Sequence, residues 1–455
     1  LITRSVRLKS HKSPPLVPAT RFLTGGETFA PNESPSTMTI TPAQIQSASQ
    51  ALRSVLRFDY PADSVLSHFF RDFRELGARD RAFVAEAVYG VLRRKRTLER
   101  LCGERSSTRH LVLAWLARVE GTTLRQLGEG FHGRDTDFFT EIKGRELGEV
   151  GLAEAADLPD WLAERLSAFM SPDEVLRLAQ SLNRPAPLDL RANPLKLDRD
   201  ALVDKLKADG VGCAPGRFSP LAVRLEGKPA LQKHPLFLDG SFEVQDEGSQ
   251  LLGFLLQPKR GEMVVDFCAG AGGKTLLLGA LMRNTGRLYA FDVSDKRLTN
   301  LKPRLARSGL SNVHPARIEH ERDQKIKRLA GKADRVLVDA PCSGLGTLRR
   351  NPDLKWRQDE TSVAELTVKQ AAILDAAATL VRPGGRLVYA TCSLLSAEND
   401  DIVAAFLEKH PDFSLLPASA VLGKQGIACE GDVLRLLPHK HNTDGFFAAA
   451  MERKA

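Results

Sequence analysis

Apolar residues along this chain recur at two different spacings. From Thr41 onward the spacing is helical. Ile45, Ala48, Leu52, Val55 and Leu56 share one face, and Thr41 followed by Pro42 reads as a capped start. Val65, Phe69, Phe70 and Phe73 continue the pattern, and Phe83, Val84, Ala87, Val88, Val91 and Leu92 form a third stripe. Further helical segments are expected over 111–116, 124–127 and 161–169, with no strand signal among them. Pro and Gly interrupt the pattern over 182–240, where strands at 188–191 and 222–225 flank a helix over 198–208. Beyond 241, short apolar runs alternate with helical stretches. The runs at 263–265, 288–292, 335–339 and 386–392 predict buried strands, and 313–318 predicts a weaker one. Helices are expected over 274–282, 294–308 and 366–381. Pro303 should kink or split the second, and Pro383-Gly384-Gly385 should end the third. Residues 444–451 read as a final edge strand.

This alternation of strand and helix implies a mostly parallel α/β sheet. The pattern therefore describes a multi-domain chain. A tail covers 1–37, an N-terminal all-α domain 38–180, a small α+β connector 181–240 and a C-terminal α/β, Rossmann-like domain 241–455.

At 455 residues the chain is long enough for two or three cores. A formal charge of +9 suits a polyanionic partner such as RNA; the alternative is a solvated basic surface. No stretch approaches the ~20 consecutive apolar residues of a membrane span. Cys102, Cys213, Cys268, Cys342, Cys392 and Cys429 are scattered, without a C-x-x-C pair or zinc spacing. A reduced cytoplasmic compartment and no metal are the expectations. Residues 1–37 are rich in Ser, Thr and Pro, with Arg4, Arg7, Lys9, Lys12 and Arg21 against only Glu27 and Glu33. They read as a disordered tail or a mis-called start before Met38, in preference to a targeting peptide.

The candidate chemistry begins where the 263–265 strand meets Asp266-Phe267-Cys268-Ala269-Gly270-Ala271-Gly272-Gly273-Lys274-Thr275. Glycines let a backbone approach a ligand closely, and a helix amino end favours negative charge. A P-loop ending at Gly273-Lys274-Thr275 needs glycine where Cys268 stands. A dinucleotide fingerprint counted from Gly270 and Gly272 needs glycine where Thr275 stands. The next strand ends in Asp292, whose carboxylate can accept from both hydroxyls of a ribose. A nucleoside ligand without a pyrophosphate fits, S-adenosylmethionine (SAM) above all. A glycine turn in some other α/β domain remains the plain alternative.

Two further strand ends carry Asp339-Ala340-Pro341-Cys342-Ser343-Gly344 and Ala390-Thr391-Cys392-Ser393. With the glycine loop and Asn351-Pro352-Asp353-Leu354-Lys355-Trp356, they make the chain resemble the RNA 5-methylcytosine methyltransferases of the Sun/Nop2 family. The stretches 76–81 and 89–93 resemble the NusB-like RNA-binding domain of its bacterial members. There Arg79, Arg81 and Arg93 to Arg96 form the candidate RNA face, with solvated helix ends as the alternative.

The resemblance implies methyl transfer from SAM to carbon 5 of a cytosine, in small-subunit ribosomal RNA. It makes Cys392 the nucleophile, Cys342 the cysteine that helps release product, and Asp339 the contact to the base. Lys274 would lower a thiol pKa or stabilise charge. The cofactor would be held by residues 268–274 (Cys268, Ala269, Gly270, Ala271, Gly272, Gly273, Lys274), by Asp292 and by Asp339. Family members place an Asp at the end of the third strand to hold the adenine edge. Glu319 stands at that position here and Asp323 follows four residues on, leaving that contact divided between them. A transfer RNA substrate stays open, as does a non-catalytic RNA-binding or assembly factor. A monomer is expected.

Overall fold

A computed structural model describes residues 17–18 and 39–455 of the chain. Apart from Val17 and Pro18, the tail expected over 1–37 lies outside the described residues. The chain divides into two units, Leu1–Asn183 with Asn351–Arg357, and Arg184–Arg350 with Gln358–Ala455. No helix among the described residues is long and apolar enough to cross a membrane.

The first unit is helical. Its helix Pro42–Val55 starts on a reciprocal cap: Gln44 N–H donates to Thr41 Oγ1 at 3.2 Å, and Thr41 N–H to Gln44 Oε1 at 3.0 Å. Ile45, Ala48, Ala51, Leu52 and Val55 bury one face of it. Helices Ala78–Arg93 and Thr108–Arg118 cross at Gly90, where a side chain would run into the Trp115 indole. Asn351–Arg357 serves this unit by satisfying helix ends that lack intrahelical partners. Trp356 Nε1 donates to Leu92 O at 2.8 Å, and the fully buried Lys355 Nζ donates to Arg93 O and Asn183 Oδ1 at 2.9 Å each. The Leu92 and Arg93 carbonyls end helix Ala78–Arg93, and Asn183 caps the end of helix Pro172–Leu182. Asp353 Oδ2 accepts from Ala62 N–H at 3.2 Å at the start of helix Ala62–Asp72.

The second unit opens on a four-stranded antiparallel sheet: β1 Leu188–Ala192, β2 Cys213–Pro215, β3 Ala222–Leu225 and β4 Phe242–Val244, in the order β2-β3-β1-β4. Helix Arg199–Ala208, capped by Asp198, closes one side of it over Leu190, Val223 and Phe242. The larger sheet follows: β5 Met263–Asp266, β6 Arg287–Asp292, β7 Val313–Arg317, β8 Ala333–Asp339, β9 Val381–Thr391, β10 Phe413–Leu416, β11 Leu434–Leu436 and β12 Phe446–Arg453. Its order is β10-β12-β9-β8-β5-β6-β7, with β11 pairing β12. β5 to β9 are parallel, and β12 returns antiparallel against β9.

Alternate residues serve opposite faces. Val264, Ala290, Leu337 and Val388 pack with Leu251 and Leu276 on one side. Val265, Phe291, Val336 and Tyr389 pack with Ile373 and Leu374 on the other. Both faces are covered, as a parallel sheet requires. The order of strands reverses between β5 and β8, and in such sheets the crevice beyond the strand ends at that point takes the ligand.

Three expectations fail here. The final strand β12 is not an edge strand, because β9 and β10 pair with it on its two sides. Helix Asp295–Ser308 runs unbroken through Pro303. The carbonyl that Pro303 leaves without a donor is that of Thr299, on the exposed side, where water can replace the lost bond. Pro383-Gly384-Gly385 does not end a helix either, because helix Glu360–Ala378 has already stopped. These residues bulge out of β9, whose pairing with β8 jumps from Ala333–Val381 to Arg335–Arg386.

Candidate active site

The loop after β5 is built as a cradle. Gly270 and Gly272 have φ of 57° and 85°, a left-handed backbone that disfavours side chains. A side chain at Gly272 would also strike Leu301, whereas Gly270 faces open space. Asp292, at the end of β6, accepts Gly270 N–H at 2.9 Å through Oδ2 and Ser294 N–H at 2.7 Å through Oδ1. Each oxygen keeps a second lone pair, so a pair of ribose hydroxyls can still donate to this carboxylate. The loop's outer carbonyls are tied down by arginines. Arg191 from β1 donates to Gly273 O at 2.6 Å, and Arg304 donates to Ala271 O at 2.7 Å. Glu243 of β4 pairs with Arg304 at 2.9 Å and with Arg307 at 2.6 Å.

A cavity of about 960 Å³ opens beside the loop, within the range of a small-molecule site. Cys268, Ala269, Gly270, Ala271, Gly273, Lys274, Asp292, Glu319, Asp339, Cys342 and Cys392 all line it. Every residue predicted for the site meets there except Gly272, which turns the loop from behind. Glu319 faces the cavity. Asp323 instead caps the helix Gln324–Lys327 and accepts Glu319 N–H at 3.0 Å.

The residues fit SAM: an acid-terminated β6 suits the ribose, and a glycine surface admits close approach. Asp266 supports the same loop from below. Its Oδ2 accepts from Thr275 Oγ1 at 2.7 Å, while Oδ1 is buried without a hydrogen-bond partner. Burial, reinforced by the charges of Asp339 and Asp292, pushes its pKa up to about 7.

Two cysteines lie past the ends of β8 and β9. Cys342 Sγ and Cys392 Sγ are 3.4 Å apart. The hydrogen bond to Cys392 comes first, then burial, in pushing the Cys342 thiol well above its ordinary value. Lys274 Nζ sits 2.7 Å from Asp339 Oδ2 and over the Phe446 ring. Burial opposes the lysine's charge, but the Asp339 carboxylate more than offsets it and holds the pKa above the usual lysine range. Cys268 is different. Burial first, then Asp266, Asp339 and Asp292, push its thiol up, which disfavours the thiolate.

Sequence reasoning missed the polar framework around these groups. Glu398 accepts from Ser343, Ser393 and Gln370, and Arg191 holds the cofactor loop. No spacing rule marks either residue. Arg191 alone carried a signal, a charged side chain in a strand of otherwise buried residues; Glu398 stands in the polar run Ser396-Ala397-Glu398-Asn399-Asp400 and carried none.

In the basic run of the helical unit, three charges have carboxylate partners. Arg94 pairs with Asp157 at 3.5 Å, Lys95 with Glu99 at 2.8 Å and Arg96 with Asp160 at 2.6 Å. Carboxylates some 60 residues downstream in sequence take two of these charges, which a reading of local charge cannot anticipate. Arg79 stays exposed. Among the described residues, no group of three or more His, Cys, Asp or Glu is placed to hold a metal ion.

A parallel sheet with an antiparallel last strand, a glycine cradle after β5 and a carboxylate closing β6 make this a SAM-dependent methyltransferase. The description 16S rRNA methyltransferase RsmB/F matches residues 253–452, and an RsmF/B-like ferredoxin-like domain matches 158–232. The chain is 34% identical over 438 residues to the probable ribosomal RNA small subunit methyltransferase B of Synechocystis sp., covering 88% of this chain and 97% of that one. It is 31% identical over 410 residues to the ribosomal RNA small subunit methyltransferase B of Salmonella typhi, covering 84% and 92%. The crystal structure of PH0851 superposes with a TM-score of 0.74 at 28% identity, covering 91% of this chain and all of that one. A methyltransferase homolog protein from Pyrococcus horikoshii gives 0.57 at 29% identity, covering 66% and 97%. The chain belongs to the 16S rRNA methyltransferase RsmB/F family.

Proposed function

We propose that this enzyme methylates carbon 5 of a cytosine in small-subunit ribosomal RNA, through a covalent bond between Cys392 and carbon 6. The observation that carries the reading is the pair of sulfurs 3.4 Å apart at the rim of the cofactor cavity. Carbon 5 of cytosine is a poor nucleophile, and sulfur addition at carbon 6 makes it enamine-like. Cys392, near the Lys274 ammonium, is the attacking group. Asp339, held by Lys274, accepts from the exocyclic amine and from the ring nitrogen, which takes a proton from solvent as the adduct forms and returns it on elimination. SAM, when bound, supplies an electrophilic methyl group. A base, solvent water in the cavity, then takes the carbon 5 proton, the electrons of that bond restore the 5,6 double bond, and Cys392 leaves carbon 6 as thiolate, with Cys342 assisting this elimination. Asp292 and the 268–274 loop hold the cofactor, with Glu319 as the third acidic contact because it, and not Asp323, lines the cavity.

We assign 38–180 as a NusB-like RNA-binding domain, 181–240 as the connector and 241–455 as the catalytic domain of a cytoplasmic monomer. The names of the relatives from Synechocystis and Salmonella support ribosomal RNA over transfer RNA. Bisulfite sequencing of ribosomal RNA from cells lacking the protein tests this. One small-subunit cytosine should lose protection, and wild type but not Cys392→Ala should restore it. Unchanged protection at every small-subunit cytosine would sink the assignment.

A further inference from the structure

Glu398 is fully buried, and the reaction described above does not use it. Its Oε1 accepts Ser343 N–H at 2.8 Å and Gln370 Nε2–H at 2.9 Å. Its Oε2 accepts the hydroxyls of Ser343 and Ser393. Ser343 directly follows Cys342, and Ser393 directly follows Cys392. Gln370 also donates to Pro341 O at 2.9 Å, so the loop before Cys342 is fastened to the same carboxylate. The backbone around Glu398 is itself fixed, since Tyr389 Oη donates to Glu398 O at 2.7 Å.

We propose that Glu398 is a positioning residue that sets the spacing of the Cys342 and Cys392 sulfurs by gathering the residues that follow both cysteines onto one carboxylate. The proposal rests on the cysteine chemistry above. β8 and β9 are neighbours whose pairing ends at Asp339 and Ala390; beyond it the Gly346 N–H bond to Cys392 O at 2.8 Å joins the two loop backbones, and Glu398 adds the side-chain ties next to each cysteine. Burying a carboxylate is costly, and four donors offset that cost. A carboxylate has two equivalent acceptors in one rigid plane, so a single group can bind both loops at once. After the hydrogen bond to Cys392 and burial, the same charge adds to what holds Cys342 in its protonated form.

Replacement by glutamine separates shape from charge. An amide oxygen facing Ser343 N–H and Gln370 keeps both of those bonds. The amide nitrogen then faces two hydroxyls, which can rotate to accept. Glu398→Gln should therefore keep the spacing, and Glu398→Ala should lose it.

The test uses the full-length protein and phenylarsine oxide. Two thiols give up their protons, two S–As bonds form and the oxide oxygen leaves as water. No redox change is involved, and tight capture requires two sulfurs held together. Capture is followed by mass spectrometry, with Cys342→Ala as the blank. Wild type and Glu398→Gln should hold the arsenical against a monothiol. Glu398→Ala should hold it about tenfold or more weakly and form the RNA adduct about 10²-fold more slowly, the scale of a misplacement near 1 Å. SAM affinity should not move.

If Glu398→Ala loses SAM binding through misfolding, Ser343→Ala and Ser393→Ala each remove one tie and should give smaller losses in the same direction. Undiminished arsenical capture and adduct formation in Glu398→Ala, or in both serine variants, would overturn the proposal. Capture reports spacing whatever the sulfurs do in the reaction. A Cys392→Ala protein that still forms adduct while capture still depends on Glu398 would therefore overturn the cysteine roles and leave the positioning role standing.

Discussion

Cys342 and Cys392, fifty residues apart in sequence, bring their sulfur atoms within 3.4 Å, in hydrogen-bond contact. Each stands just past the end of its strand, β8 or β9, and these strands are parallel neighbours. The hydrogen bond to Cys392 and then burial hold the Cys342 thiol well above its ordinary value, which disfavours a thiolate at that position. The two cysteines are therefore chemically unequal although they sit side by side.

That inequality predicts opposite behaviour on substitution. Cys392→Ala should form no covalent RNA complex and show no activity. Cys342→Ala should still attack and transfer methyl, then stall with RNA attached. A denaturing gel after incubation with RNA and SAM reads the outcome. A slow band with Cys392→Ala and none with Cys342→Ala would exchange the roles.

Asp292 binds the loop it faces as well as any ribose. Asp292→Ala should weaken SAM by roughly 10- to 100-fold, since hydrogen bonds to a charged group contribute about 1.5–3 kcal/mol. Calorimetry on both proteins measures it; equal affinities would remove Asp292 from the cofactor site.

Asp266 should make stability depend on pH. Its pKa is about 7 in the fold, well above that of an exposed Asp. Between about pH 4 and pH 7 the folded protein retains a proton that the unfolded chain has released. Stability of the wild type should fall across that window relative to Asp266→Asn, then level off. Denaturant unfolding of the pair at several pH values tests this, and a constant difference would contradict it.

Trp356 closes the end of helix Ala78–Arg93 through Leu92 O. Trp356→Phe keeps an aromatic ring but leaves that carbonyl without its donor, a loss of about 1–2 kcal/mol. Hydrogen exchange in the last turn of the helix should speed up correspondingly while SAM affinity is unchanged. Unaltered exchange there would show that the indole bond contributes nothing.

Much of this molecule was legible from local pattern. The period of the apolar residues located β5, β6, β8 and β9, because a strand buried on both faces is marked by its own composition. The glycine loop and Asp292 were legible because close backbone approach and a strand-terminal acid are local properties. β9 was harder to bound, since Pro383-Gly384-Gly385 reads as a stop and acts as a bulge. The unbroken helix through Pro303 depended on which side of the helix met solvent.

The sequence by itself determined which residue types stand at each strand end and the order in which the strands occur. Tertiary structure alone decided which of them touch. Local spacing carries no information about contacts between residues 50 or 250 apart. Hence Lys274 pairing with Asp339, Arg94 and Arg96 turning to Asp157 and Asp160, and Lys355 and Trp356 serving the helical unit appeared only in the fold. Glu398 is the clearest case: a buried carboxylate must find its donors wherever packing brings them, and here packing brought both cysteine loops.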